Sequence, residues 1–115
     1  MARKRRTDRN HIIYRLTCSE SGRFYIGVTY ARGRAYQRSV KIRLRAHTRN
    51  ALEYGYENLL SQAIREEGID TIHWDILEVI RGKQPTHDRE RQLIAELKPC
   101  LNMEGMGRKS TSVYV

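Results

Sequence analysis

An α+β fold, in which a small antiparallel sheet of three strands is flanked by helices, is what this sequence predicts from three observations. Two runs rich in β-branched and aromatic residues, 11 to 18 and 23 to 29, are joined by the turn cluster Ser19-Glu20-Ser21-Gly22, the composition of a β-hairpin. Apolar residues then recur at helical spacing over residues 39 to 54 and again from Asn58 to Gly68. A third β-rich run, 72 to 80, precedes a last helical stretch that Pro99 ends. The predicted order is therefore hairpin, two helices, third strand and C-terminal helix.

Taken in order, the first strand places Ile12, Tyr14 and Leu16 on one face, and the second places Tyr25 with Gly27 and Thr29. Gly27 inside a strand marks either a gap where something approaches the backbone or a bulge. Residues 30 to 37 read as a connecting loop whose tyrosines suit stacking on bases and whose Arg32 and Arg34 suit phosphates. The first helix, 39 to 54, carries Val40, Leu44, Ala51 and Leu52 as its apolar stripe, with Gly55 as its stop. Arg43, His47 and Asn50 flank that stripe, and Arg43 and His47, four apart, sit one above the other. An arginine stacked on a histidine suits a phosphate: one supplies fixed positive charge, the other holds or moves a proton.

Asn58 is a plausible cap for the second helix, which turns Leu59, Leu60, Ala63 and Ile64 inward and stops at Gly68. The apolar run 72 to 80 predicts a central strand. Gly82 and Pro85 punctuate a loop, and Thr86 then caps a final helix running to about Lys98, with Leu93, Ile94 and Leu97 inward. Stepping back three or four positions from Leu93 and Ile94 lands on Glu90. An ionised carboxylate on an apolar face is costly unless a cation or hydrogen bonds compensate, so Glu90 asks for a partner.

At 115 residues the chain allows one domain, placed at 11 to 104 between a basic arm at 1 to 10 and a flexible tail at 105 to 115. Lysine and arginine number 22 against 13 acidic residues, a charge of +9 and a pI near 10.0. That balance selects a polyanionic partner, nucleic acid before an anionic membrane surface, with Arg38, Lys41, Arg45 and Arg49 as further phosphate grips. No run is apolar enough to span a bilayer and no secretory signal opens the chain, which predicts a cytoplasmic protein without a membrane partner. Cys18 and Cys100 lack CxxC spacing and read as reduced thiols, at least one of them buried.

Ile12-Ile13-Tyr14, then Tyr25-Ile26-Gly27, then Arg43 with His47, then Glu90 and Asn102 stand in an order that resembles the GIY-YIG nuclease family. The first triplet begins with Ile12 in place of glycine, and residues 30 to 37 stand like an insertion before Arg43. The resemblance covers residues 11 to 102 and implies a small stand-alone DNA endonuclease that hydrolyses phosphodiester bonds with a divalent metal. It implies that Glu90 holds Mg²⁺ or Mn²⁺, Arg43 neutralises phosphate charge, and Tyr14 orients or deprotonates the attacking water. Tyr25 and His47 assist, and Asn102 supports the site by hydrogen bonding. The expected partner is DNA, duplex first, and the expected setting is homing, mobile-element or restriction activity in a bacterial or phage-infected cytoplasm. A single site cuts one strand at a time, so a double-strand break requires a dimer or two visits, and the sequence leaves both open. The alternative is a non-catalytic basic nucleic-acid-binding protein of the same fold. His11, His73 and His87 match no family position and receive no role.

Overall fold

The computed structural model describes residues 8 to 102, so nearly all of the predicted arm and all of the predicted tail lie outside the described residues. Residues 8 to 10 belong to the fold: Asn10 opens the first strand and Asp8 accepts from Arg81 at 3.2 and 3.3 Å. The architecture is the expected α+β one. Strands β1 (Asn10–Cys18) and β2 (Phe24–Tyr30) form the hairpin, followed by α1 (Tyr36–Leu52), α2 (Leu59–Glu67), β3 (Ile72–Arg81) and α3 (Lys83–Leu97). The sheet order is β2-β1-β3 and both pairings are antiparallel.

The middle strand is β1, not β3 as the apolar run 72 to 80 suggested. One face of β1 is apolar from Ile12 to Cys18, whereas the other carries His11, Ile13, Arg15 and Thr17, of which only Ile13 joins a core. Ile12, Tyr14, Leu16 and Cys18 enter the larger core with Val40, Ala51, Leu60, Ala63 and Ile64 from α1 and α2. Ile13 turns the other way, into a smaller core with Ile26 and Leu93 beneath α3. The unbroken apolar run in β3 has its own cause. Pairing passes from Ile13↔Glu78 to Tyr14↔Ile76, so Leu77 is an extra residue in a β-bulge. Before the bulge Ile72, Trp74 and Ile76 serve the larger core; after it Leu77 and Ile80 serve the smaller one.

Several helix boundaries moved for local reasons. Helix α1 starts at Tyr36 and β2 continues to Tyr30, which leaves only residues 31 to 35 as the connection. Leu52 was expected in the apolar stripe but is 58% exposed, because it lies two turns from Arg45 on the outer side of α1, beside Arg45 and Arg49. Asn58 does cap α2, its Oδ1 accepting from the Ser61 amide at 2.8 Å, and Gly68 ends it with φ of +92°. Thr86 is not a cap: α3 begins one turn earlier after Gly82, and the buried Thr86 hydroxyl donates to the Gly82 carbonyl at 2.6 Å. Pro85 is tolerated in that first turn because its missing N–H would have no helical acceptor. Leu97 is 42% exposed, since α3 ends there and the chain turns away through Lys98 at φ of +51°. Cys18 is buried and Cys100 exposed, both as free thiols. Among the described residues no helix is long and apolar enough to cross a membrane.

Gly27 pairs with Tyr14 across the hairpin, and the space above it is filled by the chain's own aromatic rings. A Cβ at Gly27 would lie 2.5 Å from the Tyr14 hydroxyl oxygen and 2.7 Å from both Tyr14 Cζ and Tyr25 Cε2. The Gly27→Ala variant should therefore lose about 1 to 3 kcal/mol of stability in urea unfolding, because two packed rings must move. An unchanged midpoint would show that the rings are not held where they are described.

Candidate active site

The packing that fills the space above Gly27 also assembles polar groups. Tyr14 reaches from the middle of the sheet to α1, where its hydroxyl lies 2.8 Å from His47 Nε2. Tyr25 joins them from β2: its ring centre is 5.5 Å from that of His47, edge to face, and 6.3 Å from that of Tyr14. Tyr14 is 1% exposed and His47 8% exposed, so their contact is dry. Arg43, one turn before His47, is half-buried, and its positive charge acts on the Tyr14 phenol.

The electrostatics follow from that burial. Loss of water holds the Tyr14 phenol well above its ordinary range, and Tyr25 and Glu90 add to the effect while Arg43 opposes it. Burial, followed by the positive charge of Arg43, pushes His47 down to about 3. The resting pair is thus a neutral phenol beside a neutral imidazole. With the imidazole neutral, either the phenol O–H donates to Nε2 or an Nε2–H donates to the phenol oxygen, according to the tautomer.

Glu90 approaches from α3. Its side chain is 18% exposed, and the partner that its sequence position asked for is His87, whose Nδ1 lies 3.1 Å from Glu90 Oε1. His87 is the residue that sequence reasoning passed over; its three-residue spacing to Glu90 within a helix was the available signal. Among the described residues no group of three histidine, cysteine, aspartate or glutamate side chains forms a metal cage. A partly exposed single carboxylate still fits Mg²⁺ or Mn²⁺, which keep waters and draw other ligands from substrate phosphate. It does not fit a metal that needs a closed protein shell.

Asn102 acts at one remove. From a short 3₁₀ turn, Cys100–Asn102, its Oδ1 accepts from the Ile26 amide at 2.7 Å and its Nδ2 donates to the Ile26 carbonyl at 2.9 Å. One side chain thereby satisfies both backbone groups of β2 between Tyr25 and Gly27, as a further strand would.

The six cations expected to grip DNA divide. Arg38, Lys41, Arg45 and Arg49 are exposed on α1. At 3.6 residues per turn Arg45 lies about 160° around the helix from Arg43. They therefore face away from Tyr14 and His47. Arg34 joins Arg38, Lys41 and Arg45 along one groove on that outer face. Arg32 belongs elsewhere: with Arg9 it flanks Tyr30, each guanidinium carbon 5.3 Å from the ring centre.

Two outcomes test this site. In the unfolded chain His47 takes up its proton near 6.5, but in the folded chain only near 3, so between those values the unfolded state binds more protons. Stability should therefore fall as the pH drops from about 6.5 towards 3, by about 1.4 kcal/mol per pH unit for this group. Urea unfolding across that range should show a shallower slope for His47→Gln. Asn102→Ala, which strands the buried Ile26 amide and carbonyl, should cost on the order of 2 to 4 kcal/mol in the same assay, and Asn102→Gln should not restore it. Comparison of the chain with family models, with curated proteins and with solved structures finds no match in any of the three.

Proposed function

We propose that the protein is a divalent-metal-dependent DNA endonuclease of GIY-YIG type. The observation that carries the reading is the hydrogen bond of Tyr14 to His47, with the charges of Arg43 and Glu90 both acting on that phenol. Tyr14, His47, Arg43 and Glu90, from β1, α1 and α3, are residue types suited to phosphodiester hydrolysis, and the last two act electrostatically on the Tyr14–His47 pair. Tyr14 and Tyr25 close over Gly27, and Tyr14 meets His47 there, which supports the reading.

In this reading Arg43 meets the phosphate and balances the charge that builds on it, a task suited to its fixed fork. Glu90, steadied by His87, would hold Mg²⁺ or Mn²⁺, which when bound withdraws charge from the phosphate and the leaving 3′ oxygen. The resting pair is not itself a base, since the phenol is protonated and His47 resists protonation. An entering phosphodiester changes this. Its negative charge offsets the field of Arg43, and that field is part of what keeps His47 neutral. Tyr14 can then take a proton from the attacking water while passing its own hydrogen to His47 Nε2. Tyr25 orients the water and phosphate, and Asn102 holds the strand that carries Tyr25. The substrate class is duplex DNA, and homing, mobile-element or restriction roles suit a nuclease of this size.

Supercoiled plasmid with Mg²⁺ or Mn²⁺ tests the reading directly. Wild-type protein should nick it, and Glu90→Gln, Arg43→Ala and Tyr14→Phe should each be slower by about 100-fold or more. Binding without nicking under every divalent ion would instead make the protein a non-catalytic nucleic-acid binder. Undiminished cutting by Glu90→Gln would remove the metal assignment alone.

A further inference from the structure

We infer that the outward face of α1 is a second binding surface for the sugar-phosphate backbone of nucleic acid, separate from the candidate active site. One copy of the chain then holds two segments at once. Arg34, Arg38, Lys41, Arg45 and Arg49 recur at intervals of four, three, four and four residues, and all five are exposed. Arg38, Lys41, Arg45 and Arg49 thus form a single stripe along α1, and Arg34, in the turn before it, lines the same groove. Among the described residues none of the five forms an ion pair, whereas Arg15, Arg23, Arg81, Arg89 and Arg91 each have a carboxylate partner. Glu53 lines a groove with Lys41, Arg45 and Arg49 but pairs with none of them, and five exposed cations against one carboxylate repel one another unless a polyanion lies across them.

The dimensions suit a nucleic-acid backbone. Arg38 to Arg49 spans about 16 Å of helix at 1.5 Å per residue. That is the axial rise of roughly five phosphates on one strand. Four of the five are arginines, whose forks match phosphate oxygens in pairs. A membrane surface is less suited, because Val40 and Ala51 of α1 are buried, Ile42 and Leu44 are half-buried, and Leu52 alone is too little exposed apolar surface to insert into a bilayer. The stripe also cannot serve the same segment as the active site: it lies about 160° around a helix roughly 10 Å thick from Arg43. The inference rests on the proposed function only in calling this surface the second one.

A bridging assay in EDTA tests it. A short duplex is immobilised, limiting protein is added, and retention of a second, fluorescent short duplex is measured. Wild-type protein should retain the second duplex. The Arg38→Ala/Lys41→Ala/Arg45→Ala/Arg49→Ala variant should retain about tenfold less or lower still, with its circular dichroism unchanged. With Mg²⁺ the same variant, assayed at saturating protein so that its weaker hold on DNA does not enter, should still nick plasmid if the two surfaces are separate. Unreduced bridging by the variant would overturn the inference, as would loss of bridging and nicking together, which would mark one continuous surface. Capture of phosphatidylserine vesicles in place of duplex would overturn it in favour of a membrane. If bridging is lost in the variant while no protein nicks DNA, the second surface stands and the nuclease reading falls.

Discussion

The hydrogen bond between Tyr14 and His47 is the constraint around which the molecule is arranged. It joins the middle strand to the first helix in a place without water, so both partners must be satisfied by the chain itself. Gly27 follows from it, because any side chain there would displace the tyrosine ring. The β-bulge at Leu77 lies at the same level of the sheet, where β1 changes partner from Ile13↔Glu78 to Tyr14↔Ile76. Bulges commonly re-aim a side chain beside a site, and this one lets β3 feed both cores without moving Tyr14.

Helix α1 divides the electrostatics of the protein. Its inward side holds Arg43 and His47 against the sheet, where low polarity magnifies charge and keeps His47 neutral. Its outward side holds cations in water, where each contributes little alone and acts through number and spacing. The +9 balance of the chain is therefore not one field. One half-buried arginine acts on the Tyr14 phenol and on His47, and a row of exposed cations faces water.

The sheet, the helices and the alternation of β1 could be read from residue type and period, because each buries a simple pattern. The position of β3 could not, since its apolar run arises from a bulge, and a bulge breaks the period on which such reading depends. Thr86 resembled a cap because it follows a glycine and a proline, yet its hydroxyl serves a carbonyl inside the first turn. For the candidate site, the spacing of Arg43 and His47 was informative because a helix converts it to proximity. What spacing could not convey is which face of α1 each cation takes relative to the sheet, or that Glu90 turns to His87. Those depend on contacts between elements distant in the chain.

Asn102 carries a consequence for how the protein comes into being. It completes the edge of β2 across a separation of 76 residues. During synthesis at about 5 to 20 residues per second, the strand bearing Tyr25 and Gly27 therefore waits roughly 4 to 15 s for that partner. The tyrosines, the arginine and the histidine are all made earlier. A nascent chain thus owns most of its chemical groups before it owns the support that fixes them, and the timing of translation becomes a guard on when they can act together.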